Sequence, residues 1–478
     1  MWHFAEQDSG PLYLKIIRLI ESNIASGKLL VGEKLPPERQ LAQMLGVNRS
    51  TVVRAFDELA ERGVLIRKRG SGTVINQEKW GVSAKPSTNW RHYVDQGGFN
   101  PVSPYIRRTD DLMKRYPGKL LDLANGELPL DLAPKITMPA YSWQELLAEE
   151  RSEDITGYFP LKETISRHLK KDLRISALPE QILITSGAQQ ALFIISQCLL
   201  RPGDTIAVES PSYFYALPLF QSAGLRILAL PMDNDGVIPE ELERLCHRFS
   251  LKMIFLNPTF QNPTGLTMPL RRRQDIIALC AKWNLPIVED NSYSQLHFNE
   301  SALIPPLKQL DEQNVLYIGS LSKVTGSMTR IGWLVGPAAV VKRLAEARQE
   351  MDFGLSIFPQ VLANHVFSSP IFDRHLNELR KTLKQRRDFL VNALRSSLAE
   401  QIDFSIPQGG FHLWCRLNKE KNINRLVDRL MQQKMLVMPA AIFGSKEQAI
   451  RLTFARLEQV NAKLAVKILK QEILREEA

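Results

Sequence analysis

At 478 residues the chain exceeds the roughly 250 to 300 residues at which a single hydrophobic core stops growing, so it should hold roughly two to four domains. With 44% hydrophobic and 23% charged residues it has an ordinary globular composition, and no apolar run approaches the roughly 20 residues of a membrane helix. Sixty-one Lys and Arg against 51 Asp and Glu leave a net charge of +10, compatible with nucleic acid or anionic ligands, while four scattered cysteines suggest neither a metal site nor a disulfide framework. The N-terminus lacks a basic and then apolar leader, so a cytoplasmic place is expected.

From Pro11, apolar residues recur near helical spacing at Leu12, Ile16, Leu19, Ile20 and Ile24, up to a stop at Gly27. Pro36 and Pro37 open a second helix that turns Leu41, Ala42 and Leu45 inward and ends at Gly46. A third helix, capped by Asn48, buries Val52, Ala55, Phe56 and Leu59. It leaves Arg49, Ser50, Thr51 and Arg54 near its exposed N-terminal end, where a helix-turn-helix meets bases and phosphates. LIRKRGSGTVI then forms two short strands around Arg67, Lys68, Arg69 and a Gly70-Ser71-Gly72 turn, a basic wing. A plain helical bundle with solvated arginines would not account for this order.

Through LPPERQLAQMLGVNRSTVVRAFDELAERGVL and RGSGT, the segment from Pro11 to Ile75 resembles the GntR family of bacterial transcription regulators. The resemblance implies DNA contacts at Arg39, Arg49, Ser50, Thr51 and the wing glycine Gly72, with Arg54 an addition. Residues 1–76 are thus expected to be a winged helix-turn-helix domain and residues 77–103 a linker, whose Trp80, Trp90, Tyr93 and Phe99 suit partial docking better than free solvation.

The remainder, 104–478, alternates strand-like and helix-like segments. Ile182 to Thr185 lead through Ser186, Gly187 and Ala188 into a helix from Gln189, whose free amides make an anion site. Tyr213 follows the buried run Ile206 to Val208, where its ring could cover a planar ligand. Asn262 and Asp290 also follow apolar runs, with Tyr293 just beyond. Core packing would explain Tyr213 alone, and surface capping Asp290 alone. Polar residues at successive strand ends point to a mainly parallel α/β sheet with one ligand site along its edge. YIGSLSKVTGSMTRIGWLVGP places Lys323 past a strand, between Ser320 and Ser322 and before Arg330: an amine near a desolvating pocket, with hydroxyls and a forked cation suited to phosphate.

Together these residues describe a site for pyridoxal 5'-phosphate (PLP). Through GYFPLK, TSGAQQAL, ESPSY, NPTFQNPTG, VEDNSY, GSLSK and RLTFA, the stretch from about Leu123 to Arg456 resembles fold-type I aminotransferases of classes I and II. That implies a Schiff base on Lys323, phosphate contacts from Ser320, Ser322 and Arg330, an effector carboxylate on Arg451, and Gly126 lining the same place. A small α+β subdomain is expected at about 368–478. Three positions depart from the family pattern: Ser327 in place of proline, Ala440 in place of glycine, and Ser152 in place of a tyrosine that reaches the partner subunit's cofactor, leaving Tyr141 and Tyr158 as nearby phenols.

From end to end the chain resembles the MocR subfamily of bacterial regulators. The expected function is transcription control by a homodimer that binds double-stranded DNA, holds PLP and senses the cofactor or an amino-containing effector. The alternatives are a catalytic aminotransferase with an accessory DNA-binding domain, and a DNA-binding protein fused to an inert fold.

Overall fold

The computed structural model describes residues 2, 10–30, 32–68, 72–76, 103–151, 153–300, 303–352 and 354–475. The chain divides into two compact units, Met1–Gly98 and Phe99–Ala478. Residues 77–102 of the expected linker, Arg69, the Gly70-Ser71 turn and Ser152 lie outside the described residues.

The first unit packs α1 (Leu12–Ala25), α2 (Glu38–Leu45) and α3 (Arg49–Glu61) around Ile16, Ile20, Leu41, Val52, Phe56 and Leu59. α2 ends on Gly46, whose φ of +65° suits a residue without Cβ. Asn48 holds the N-cap position of α3 with extended backbone, but its side chain makes no capping bond. β1 (Leu65–Lys68) and β2 (Gly72–Ile75) pair antiparallel as the wing.

In the second unit β3 (Leu121–Asp122) stands apart from the main sheet. That sheet contains β4 (Ile182–Thr185), β5 (Thr205–Ser210), β6 (Arg226–Asp233), β7 (Gly236–Val237), β8 (Leu251–Leu256), β9 (Ile287–Asp290), β10 (Val315–Ser320) and β11 (Gly332–Val335). Their spatial order is β4-β11-β10-β9-β8-β5-β6-β7. The five strands β10, β9, β8, β5 and β6 run parallel, β11 runs antiparallel to both of its neighbours, and β7 is an antiparallel edge. β9 and β10 are buried along their whole length, as expected of parallel strands covered on both faces. Asp290 and Ser320 are the last residues of β9 and β10.

Helix Pro370–Leu398 leads into a smaller sheet of β12 (Ile402–Asp403), β13 (His412–Leu417), β15 (Met438–Pro439) and β16 (Ala449–Thr453), while β14 (Met435–Leu436) pairs in parallel with β3. β13 and β16 pair with His412 opposite Thr453 and Trp414 opposite Arg451. Among the described residues no helix is long and apolar enough to cross a membrane, and no His, Cys, Asp and Glu cluster could hold a metal ion.

Candidate functional site

A cavity of about 210 Å³ opens where the parallel strands end, bordered by Gly187, Tyr213, Asp290, Tyr293, Lys323 and Arg330. Ala188, Gln189, Asn262, Ser320 and Ser322 line it too, so the sequence-proposed set converges on one place. Glu127, Asn257, Ser292 and Ser327 join them without having been singled out as ligands. A larger, more open hollow of about 640 Å³ beside Asn422 and Lys446 carries no comparable set.

At one end the helix Ala188–Cys198 begins on Gly187, with φ +79° and no side-chain cap, so its first amides are available to an anion. The helix starts one residue earlier than the sequence pattern indicates. Gly332 on β11 makes this turn possible: a Cβ there would come within 2.7 Å of the Gly187 carbonyl carbon and 2.9 Å of the Ala188 nitrogen. Ser320 Oγ donates to Ser322 Oγ at 3.2 Å and accepts from the Ser322 amide at 3.2 Å. Arg330 is exposed, has no ion pair among the described residues, and adopts φ +49°, a conformation that a non-glycine residue holds at a cost of about 1 to 3 kcal/mol. Two hydroxyls, free amides and a guanidinium form a donor set for phosphate.

At the other end Asp290, the last residue of β9, is fully enclosed, and burial pushes its carboxyl above the usual range. Its Oδ1 accepts from the Ser292 hydroxyl at 2.6 Å and the Ser292 amide at 3.0 Å, while Oδ2 accepts a short hydrogen bond from the Tyr213 hydroxyl. Tyr213 is thus tied to the carboxylate that would meet a pyridine nitrogen, a contact that its expected ring-covering place does not include. Asn257 Nδ2 donates to the Asp290 carbonyl at 2.7 Å, and its Oδ1 accepts from the Asn262 amide at 2.8 Å, which fixes Asn262 beside β9.

Lys323 stands in the short helical turn Ser322–Thr325 after β10, half-buried, its Nζ donating to the Gly126 carbonyl at 2.9 Å and lying 5.4 Å from the Tyr293 ring centre. The Tyr293 hydroxyl lies 3.0 Å from His412 Nε2. Gly126 fits closely here: a Cβ would lie 3.2 Å from His412 Cε1, so that ring would have to give by a few tenths of an ångström. The donor set fits a planar ring carrying a phosphate, an aldehyde, a phenolic oxygen and a basic nitrogen, the description of PLP.

Arg451 lies behind Asn262. Its Nη1 donates to Asn262 Oδ1 at 2.9 Å, its Nη2 donates to the Ala124 carbonyl, and its Nε has no partner among the described residues. Burial lowers its pKa to about 10, and neutral carbonyl oxygens are its only hydrogen-bond acceptors there. A buried cation whose hydrogen bonds go only to neutral oxygens, with Asp122 acting on it from outside hydrogen-bond reach, is a natural site for a carboxylate.

On the first unit Arg39, Arg49 and Ser50 are exposed and Thr51 is half-exposed. Glu38 bridges Arg49 (3.1 Å) and the wing's Arg67 (3.5 Å), and Arg67 also pairs with Asp57 at 2.9 Å. Arg54 lies 4.0 Å over the Tyr13 ring, engaged within its own fold. Gly72 has a structural reason of its own: at φ +96°, a Cβ would sit 2.6 Å from Lys34 Cε. Of the family departures, Ser327 borders the cavity, Ala440 is buried at the start of a turn that ends on Gly444, and Tyr158 is buried while Tyr141 is exposed.

The sequence matches the gntR family of bacterial regulatory proteins over residues 12–75 and the aminotransferase class I and II family over residues 119–469. It is 36% identical to the Bacillus subtilis (strain 168) HTH-type transcriptional regulator YdfD over 452 residues, covering 93% of this chain and 92% of that protein. The chain belongs to the MocR subfamily of GntR-type regulators. A second regulator of that organism, YisV, is 36% identical over 95% of this chain and 94% of its own length. The MocR-type larger unit is similar in structure to Pyrococcus horikoshii kynurenine aminotransferase in complex with PMP, with a TM-score of 0.73 and 27% identity over 81% of this chain and 99% of that one. An archaeal alanine:glyoxylate aminotransferase gives 0.72 and 27% over 80% and 98%. Membership of the class I and II aminotransferases implies dependence on PLP, and the GntR-type domain implies DNA binding.

Proposed function

We propose that this regulator holds PLP on Lys323 and reads a carboxylate-bearing amine at Arg451. Buried Arg451 carries the reading: it belongs to β16 of the small sheet yet bonds to Asn262, on the loop after β8, and to Ala124, so an anion there would bridge two layers of the unit. The cofactor supplies, when bound, a reversible covalent link to a primary amine. Gly187, Ala188 and Gln189 amides with Ser320, Ser322 and Arg330 hold its phosphate, Asp290 its ring nitrogen, and Asn262 and Tyr293 its phenolic oxygen, while Tyr213 packs against its face. Gly126 leaves room for the effector.

Arg39, Arg49, Ser50 and Thr51, with the wing at Gly72 and Arg54 in a supporting place, meet operator DNA, which puts the protein in the cytoplasm. A homodimer is supported by exposed apolar side chains on neighbouring elements: Met138, Tyr141, Trp143, Leu147, Phe159 and Phe358. An effector shifts DNA binding by favouring one degree of closure of the small sheet on the large one.

Titration of the purified protein with PLP tests the reading. A visible absorbance band that is lost in Lys323→Ala, and that changes with one class of amino acid but not in Arg451→Ala, is the expected result. Absence of a Lys323-dependent band overturns it. The convergence of Lys323, Asp290 and Tyr293 on one cavity beside Arg451 also favours a second reading, a working aminotransferase, which sustained keto-acid formation would establish.

A further inference from the structure

Thr453, His412 and Tyr293 form a buried polar chain in which His412 and Thr453 have no role assigned so far. His412 Nδ1 lies 3.1 Å from the Thr453 hydroxyl and Nε2 lies 3.0 Å from the Tyr293 hydroxyl. The three residues are 0%, 1% and 4% exposed in that order. His412 opens β13 directly opposite Thr453 on β16, so strand register fixes the ring. Tyr293 and Phe411 stand edge-on to it, and Arg451 and Lys323 are the cations that face it. Burial first, and those two cations second, hold the imidazole well below the usual histidine range, so it is neutral.

A neutral imidazole has one N–H and one acceptor nitrogen, whereas each hydroxyl can donate or accept. The chain can therefore run in either direction, and the ligand decides which. An anionic oxygen beside Tyr293 takes the phenol's only proton. The Tyr293 oxygen must then accept from His412 Nε2–H, and Thr453 must donate to Nδ1.

We propose that His412 is a positioning residue that fixes Tyr293 as a hydrogen-bond donor to the cofactor's phenolic oxygen and thereby tunes the acidity of the Lys323-linked chromophore. The proposal rests on the cofactor reading above. Donation from Nε2–H polarises the Tyr293 hydroxyl and strengthens its hold on the anionic oxygen. A stronger donor on that oxygen draws charge from it and lowers the proton affinity of the neighbouring linked nitrogen. Losing the donor raises it.

The test is a pH titration of the visible band of the full-length protein loaded with PLP. His412→Leu should raise the midpoint by about 0.5 to 1 unit, the scale of one net hydrogen bond between neutral groups. His412→Gln, whose amide nitrogen reaches the Nε2 position, should stay within about 0.3 units of wild type. His412→Asn, matching only the Nδ1 side, should resemble Leu. In a Tyr293→Phe background, His412→Leu should add no further shift. An unshifted midpoint in His412→Leu, or the same shift without the Tyr293 hydroxyl, overturns the proposal. A second arm uses 4'-deoxypyridoxine 5'-phosphate, which keeps the phenolic oxygen but cannot bond Lys323. Its affinity should fall about fivefold in His412→Leu, the effect of roughly one hydrogen bond, and should not respond to His412 in the Tyr293→Phe background. If wild type binds this analogue but gives no Lys323-dependent band, the covalent reading fails and the analogue alone decides the role of His412. If it binds neither, both readings fall.

Discussion

Two buried carboxylates stand near the ends of parallel strands β5 and β9. Asp290 is held by hydroxyls, whereas Glu209, the penultimate residue of β5, receives an amide hydrogen bond from Gln261 Nε2 at 2.9 Å. Burial pushes Glu209 up to about 7 from an ordinary 4.5. Between those values the folded chain keeps this proton and the unfolded chain releases it. The stabilisation is therefore complete below the unfolded value and is lost as pH rises through the folded one, at most about 3 kcal/mol. Urea midpoints measured at pH 5 and pH 8 should differ less in Glu209→Gln than in wild type; an unchanged difference would place the titration elsewhere. Tyr213 offers a second test, because its hydroxyl already occupies Asp290 Oδ2. Tyr213→Phe keeps the ring and frees the oxygen, so PLP should be retained about fivefold more tightly, the scale of one net hydrogen bond, as read by equilibrium dialysis. Asp290 and Lys323 stand at the strand ends where the sequence pattern puts them, because an apolar run that stops at a polar residue is a local signal. Glu209 was illegible as a buried acid, since its enclosure depends on Gln261 fifty-two residues further along.

At the scale of elements, β10, the loop bearing Lys323 and Arg330, and β11 make one hairpin whose strands pair from Tyr317 with Val335 to Ser320 with Gly332. Trp333 packs over Gly319, where a Cβ would come within 2.3 Å of the indole, so the pair tolerates no side chain at Gly319. Gly332 plays the same part towards the phosphate turn. Gly332→Ala should displace the Gly187-Ala188 backbone, lower thermal stability by about 1 to 3 kcal/mol through overpacking, and abolish retention of phosphorylated ligands while DNA binding by the first unit persists. Unchanged PLP binding in that variant would show that the turn has room to give. The mainly parallel sheet was legible from alternating strand and helix patterns. The antiparallel β11 was not, because a short apolar run carries no sign of its direction. Arg54 likewise looked free from helical spacing alone, and only the fold brings Tyr13 beneath it.

At the scale of the molecule, the two units and their family were readable from motif order, since each motif keeps its residues within a short span. The proposed dimer face was not, because exposure becomes visible only after folding: Trp143, the most exposed tryptophan described, is 76% accessible on a helix of the larger unit. Replacing Trp143 and Phe159 by Asp should yield a monomer in sedimentation. Operator affinity should then drop on the order of tenfold or more, because two linked reading heads no longer share one site. A dimer that survives both changes would place the interface elsewhere. The pairing of β13 with β16 has a reach beyond either residue that it positions. Arg451 and Thr453 are separated by one repeat of the strand, about 6.6 Å, so the proposed grip on a carboxylate and the proposed support for the phenolic oxygen would be mounted on a ruler that cannot stretch. On that reading, side-chain replacements in the pocket can change which group an effector presents there, but the span from its carboxylate to the ring would be measured out by backbone.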